Sequence, residues 1–124
     1  MTTPIAIAIS AAKEAGALLK GRFGNPGTVE HKGAIDLVTE MDRRAEGLIV
    51  GLVTEHFPAH LILAEESGET GQSAAASAAS NNKQFRWIID PLDGTTNYAH
   101  GFPFFCVSIA IEVNGKVEFG VVYN

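Results

Sequence analysis

The hydrophobic period of this 124-residue chain changes once, near residue 60, and that change limits the folds open to it. Up to Phe57, apolar residues recur every three or four positions, the spacing of a helix face. From Leu61 onward they come in short continuous runs bounded by turn residues, the pattern of buried strands. Helices followed by strands, rather than the two alternating, point to the α+β class.

In the first segment Ile5, Ile9, Ala12, Gly16, Leu19 and Phe23 form one stripe. Thr3 and Pro4 supply an N-cap and a first-turn proline, and Gly21 and Gly24 supply a stop. A second helix is expected from near Thr39 to Phe57, where Pro58 ends it. Its stripe is Met41, Ala45, Leu48, Ile49, Leu52, Val53 and Phe57. Gly47 and Gly51 inside it imply that a neighbour packs close to that face. Residues 25–38, with Pro26, Gly27 and Gly33, read as extended and irregular. Strands are expected at Leu61–Ala64, Phe85–Ile89, Phe104–Val113 and Lys116–Tyr123. Residues 67–84 are small and polar and read as a mobile loop. Asn114-Gly115 is a hairpin turn signal. A plain two-residue loop there sets Ile111 opposite Glu118, against the alternation. Either a bulge intervenes or both faces of the sheet are covered.

Composition narrows the function classes. Hydrophobic residues make up 46% of the chain, enough for one domain with a real core. A formal net charge of -5 argues against a nucleic-acid binder, and no basic run offsets it. No apolar run is long enough for a membrane helix. The first residues, MTTPIAIAIS, lack a basic segment, so the default expectation is a soluble cytoplasmic protein. The single cysteine, Cys106, excludes an internal disulfide and reads as a small core residue. His31, His56, His60 and His100 are scattered and read as surface or packing residues.

The chemistry gathers at two strand ends. Leu61–Ala64 runs into Glu65-Glu66, and Trp87–Ile89 runs into Asp90, with Asp93 three residues on. If the two strands are neighbours, Glu65, Asp90 and Asp93 share one pocket. Carboxylates crowded there repel, and a hard divalent cation removes the conflict. Oxygen ligands alone favour Mg²⁺ or Ca²⁺, and no Cys/His cluster has zinc spacing. Pro91 cannot continue a ladder, so the chain is expected to turn after Asp90. That turn would bring Asp93 back and free the Leu92 carbonyl. Gly94-Thr95-Thr96-Asn97 looks like a helix start, whose N–H groups favour an anion. A metal beside such donors suits phosphate, whereas the bland alternative has Asp93 and Thr95 merely capping a short helix. Thr39 with Asp42 fits a capping box, and such a pair at a pocket can also orient a water.

Three stretches, DLVTEMD, LAEESGE and WIIDPLDGTTNYAHGFPFFCVSIA, resemble the inositol monophosphatase family of Mg²⁺-dependent phosphatases. Lys32-Gly33 ahead of the first matches the bacterial branch. The resemblance implies two long helices packed on an antiparallel sheet, the N-terminal part of a layered αβαβα fold shared with fructose bisphosphatases. It implies that Glu65 and Asp90 hold one Mg²⁺ with help from the Leu92 carbonyl, and that Asp90 and Asp93 share a second. Gly94 and Thr95 would receive the phosphate through backbone N–H groups, beside Glu65, Leu92 and Asp93. Thr95 and Glu65 would polarise the attacking water, with Asp42 nearby. The implied reaction is in-line hydrolysis of a small phosphate monoester without a covalent intermediate, with Li⁺ as an inhibitor. The full-length family is implied to form homodimers.

The motifs cover the N-terminal half of the family pattern. Its second half, which adds an aspartate from a WD-containing motif, has no counterpart in residues 1–124. The expectation is a metal- and phosphate-binding half whose own turnover is impaired. Two alternatives stand beside it. One is a non-catalytic piece that binds metal or a partner. The other is a haloacid dehalogenase-type phosphatase with Asp90 as nucleophile, although that signature separates its two aspartates by one residue, where two stand here.

Overall fold

The structure is a computed structural model, and it describes residues 3–23, 29–31, 37–64, 68–70, 84–101 and 103–124. Helix α1 spans Pro4–Gly21, with Thr3 as its N-cap: the Thr3 hydroxyl accepts from the Ala6 N–H at 3.3 Å. Strands β1 (Val29–His31) and β2 (Leu37–Thr39) pair antiparallel, so part of the stretch expected to be irregular is a small two-stranded sheet. Helix α2 spans Glu40–His56. Strands β3 (Leu61–Ala64), β4 (Gly68–Thr70) and β5 (Phe85–Asp93) follow, then the one-turn helix α3 (Thr95–Ala99), β6 (Cys106–Val113) and β7 (Lys116–Tyr123). Strand β4 lies inside the segment expected to be a loop, and residues 71–83 of that segment are outside the described residues.

The five-stranded sheet has the order β4-β3-β5-β6-β7. It is antiparallel except between β3 and β5, which run parallel with Ala64 opposite Ile89. That pair makes neighbours of the two strands that run into acids. Residues Ile62, Ala64, Trp87, Ile89, Val107, Ile109 and Ile111 share the face that meets the helices, and all are buried. Their registers agree: Trp87 stands opposite Ile111, and Ile89 opposite Ile109. On the other face Arg86 and Glu112 form an ion pair across β5 and β6, at 3.7 Å.

The buried stripe of α1 is Ile7, Ala8, Ala11, Ala12, Ala15 and Leu19, rotated from the one expected. Ile9, assigned to the core by its spacing, is 43% exposed. This helix is apolar on most sides, so spacing alone fails to select a face. The alanines decide it, because small side chains let α1 approach α2 at Ala45 and Ile49. Gly16 serves a second close approach: a Cβ there would lie 2.6 Å from the Tyr123 ring. Gly47 and Gly51 do the opposite of what was expected. Both face solvent, with nothing within 4 Å of an added Cβ.

The hairpin takes the bulged solution. Asn114 (φ 52°) and Gly115 (φ 83°) form the two-residue turn, with Val113 opposite Lys116 and Glu112 opposite Val117. Ile111 then pairs with Phe119, which leaves Glu118 as the extra residue. Strand β7 is the sheet edge and is exposed along most of its length, including Val117, Phe119 and Val122.

Candidate metal and phosphate site

The site forms where β5 loses its regularity. From Phe85 to Asp90 each residue has its partner on β6, ending with Asp90 opposite Ser108. The next pair is Asp93 with Cys106, so three steps on one strand match two on the other. Pro91, which has no N–H to donate, sits in this irregularity. Pro91 leads one to expect a turn after Asp90. Instead the strand continues through a bulge to Asp93. Asp90 stabilises that bulge itself, since its carboxylate accepts the Leu92 N–H at 3.3 Å.

Immediately after the bulge Gly94 adopts φ +95° and starts α3. No side chain with a Cβ fits there without strain. The added atom would lie 2.9 Å from the Phe104 carbonyl oxygen, in a left-handed conformation that L residues avoid. The side chain of Asn97 closes the same contact by donating to that carbonyl at 2.9 Å. Neither Asp93 nor Thr95 supplies a side-chain cap to α3, so simple capping fails as their explanation.

Thr95 reaches elsewhere. Its hydroxyl lies 2.8 Å from an Asp42 carboxylate oxygen and 3.0 Å from the Leu92 carbonyl oxygen. Asp42, in the first turn of α2, is 3% exposed. This contact joins residues 53 positions apart. It also assigns the Asp42 carboxylate a partner other than the capping box; the Thr39 side chain lies outside what is described. The Leu92 carbonyl, expected to be free, receives the Thr95 hydroxyl while keeping a second lone pair.

The Asp93 carboxylate lies against Cys106. Its sulfur lies 3.9 Å from an Asp93 oxygen. Burial first, then the charges of Asp93 and Asp90, then the contact with Asp93, push the thiol above its ordinary range. Cys106 is therefore a half-buried protonated thiol beside two acids rather than the small core residue its apolar surroundings suggested.

Of the expected site residues, Asp42, Asp90, Leu92, Asp93, Gly94 and Thr95 are brought to one end of the sheet. Glu65, which follows Ala64 in the sequence, lies outside the described residues. Among the described residues no three His, Cys, Asp or Glu side chains form a metal-binding cluster. The donors that are present suit a hard cation: two carboxylates and a carbonyl, next to a thiol held in its protonated form. Sequence reasoning missed Asn97, Cys106 and Tyr98. The Tyr98 hydroxyl donates to the Leu19 carbonyl at 2.6 Å and ties α3 to the end of α1. No local pattern announces any of these contacts, because each partner is remote in sequence or set by the chain's path.

The model of the inositol monophosphatase family matches residues 1–124. The chain belongs to this family. Inositol monophosphatase 2 of Solanum lycopersicum is 45% identical over 122 residues, which are 95% of this chain and 43% of that protein. The Nus factor SuhB of Escherichia coli K12 is 40% identical over 120 residues, 95% of this chain and 42% of the other. Among solved structures, the extragenic suppressor protein SuhB of Bartonella henselae superposes with a TM-score of 0.85 at 40% identity, covering 97% of this chain and 44% of that one. The inositol monophosphatase of Anabaena gives 0.71 at 42% identity, with 94% and 38% covered. The chain thus spans less than half the length of these proteins.

Proposed function

We propose that this chain carries the metal- and phosphate-binding half of a Mg²⁺-dependent hydrolase of small phosphate monoesters, of the inositol monophosphate kind. The observation that carries the reading is the Thr95 hydroxyl held by Asp42, beside the bulge that carries Asp90 and Asp93.

Asp90, Asp93 and the Leu92 carbonyl are the described groups that would hold Mg²⁺, with Glu65 completing the set. Bound Mg²⁺ supplies Lewis acidity, which activates water near neutral pH and offsets charge on the phosphoryl oxygens. The protein's own residues do the rest. The Gly94 and Thr95 N–H groups open α3 and receive the phosphate oxygens. The Thr95 proton is shared between the Asp42 carboxylate and the Leu92 carbonyl, which turns a lone pair of that oxygen outward to orient water. The Leu92 N–H holds the Asp90 carboxylate in position. Among the described residues no helix is long and apolar enough to cross a membrane. The reading carries with it a cytoplasmic enzyme that acts as a homodimer at full length.

Two measurements test this. Calorimetry should show Mg²⁺ heat with the native chain and its loss in Asp90→Asn, with affinity reduced more than the roughly 10- to 100-fold seen for outer-shell partners of a metal. Equal affinity in both proteins ends the proposal. Phosphate release from inositol monophosphate should be Mg²⁺-dependent and much slower for residues 1–124 than for a chain extended to the relatives' length. A trapped phosphoryl group on Asp90 would replace this reading with a nucleophilic-aspartate mechanism.

A further inference from the structure

At the end of the sheet opposite the site, four rings close over the start of β3 and β5. His60 lies between two phenylalanines. Its ring centroid is 4.6 Å from Phe57 with planes 6° apart, and 4.4 Å from Phe85 with planes 4° apart. The indole N–H of Trp87 donates to His60 Nδ1 at 2.9 Å. Trp87 is fully buried, in the middle of the sheet. An indole is a donor only, so this contact requires an unprotonated Nδ1 and puts the imidazole proton on Nε2.

We propose that His60 is a proton-sensitive latch that clamps the end of α2 to β5, closed in its neutral form and opened when Nδ1 is protonated. Protonation sets two donors against each other and strips the Trp87 N–H, in a buried place, of its only acceptor among the described residues. It also puts a charge between two apolar rings.

The two phenylalanine faces offset part of that charge by attracting a cation, but beyond them the described surroundings offer it little relief. On the α2 side the titratable neighbours are Glu55 and His56, both exposed, with the His56 ring 6.4 Å from Phe57. On β5, Arg86 alternates to the other face and pairs with Glu112 of β6. Strand β3 contributes none, its sequence being LILA. Burial alone lowers the His60 pKa from 6.5 to about 4. The folded state therefore binds fewer protons than the unfolded state between those values. Stability is whole above pH 6.5 and falls as pH drops toward 4. The full difference corresponds to about 300-fold in the folding equilibrium, and solvent reaching the ring edge brings the expectation nearer 100-fold.

Trp87 is the only tryptophan, so its signals report the latch directly. The test follows the indole N–H and the His60 ring protons by NMR from pH 8 to 3.5, with denaturant unfolding at each pH. In the native chain His60 should stay neutral to below pH 5, and the indole signal should be lost in the same step. In His60→Gln the amide oxygen replaces the acceptor without titrating. The stability of the native chain relative to this variant should therefore fall by roughly 40-fold between pH 6.5 and 4, and by nearly 100-fold over the whole range from pH 8 to 3.5. Titration of His60 near 6.5 with the indole unmoved, or the same pH slope in both proteins, overturns the proposal. Should the variant not fold, the native titration decides alone. None of this depends on the phosphatase reading.

Discussion

The two ends of β5 are built by opposite rules. At one end Phe85 and Trp87 meet His60 and Phe57 in a stack whose buried indole donor has a matched acceptor. At the other, beyond Ile89, the ladder breaks, a proline intervenes and two carboxylates lie near a half-buried thiol. The first end pairs its buried indole within the protein and stacks its rings closely. The second sets two acids three residues apart in an irregular stretch of strand, the feature on which the proposed metal site rests.

The largest effect that would break this contrast is expected at the regular end. Trp87→Ala removes the largest fully buried side chain and should cost about 3–5 kcal/mol in denaturant unfolding. A cost no greater than that of a surface substitution would show that the aromatic end is not the closely packed one. Gly94→Ala probes the irregular end. The left-handed backbone costs about 1–2 kcal/mol for any L residue, and displacement of the Phe104 carbonyl adds to it. Circular-dichroism melts should show destabilisation smaller than for Trp87→Ala, yet calorimetry should show a larger relative loss of Mg²⁺ affinity. The reverse ranking would separate the glycine from the site. The smallest effect is a gain. Gly47→Ala, on an open helix face, should stabilise by up to about 1 kcal/mol in the same melts and leave both ends untouched.

Local physics made much of this legible. The change of hydrophobic period places α1, α2, β3 and β7 at or within a residue of their observed limits, because each needs only its own pattern and stop residues. The two acid-ended strands point to the site because a carboxylate at the end of a buried run has few structural uses. Other features depended on what lies across the fold. Which side of α1 is buried followed from how closely α2 approaches, since an alanine-rich helix offers several apolar faces. The β1–β2 pair and β4 are three residues each, too short to carry a period.

What the sequence determined by itself was the order of the longer elements and the family, since each is a matter of residue identity and spacing along the chain. What only the tertiary structure decided was which partners those donors meet. Asp42 and Thr95 are 53 residues apart and become neighbours only when α2 packs on the sheet. Pro91 announces a disruption, but whether it becomes a turn or a bulge depends on β6 holding Asp93 against Cys106. His60 reads as a plain packing histidine until β5 brings the one indole to its Nδ1. In each case the deciding interaction is between segments whose approach no local pattern encodes.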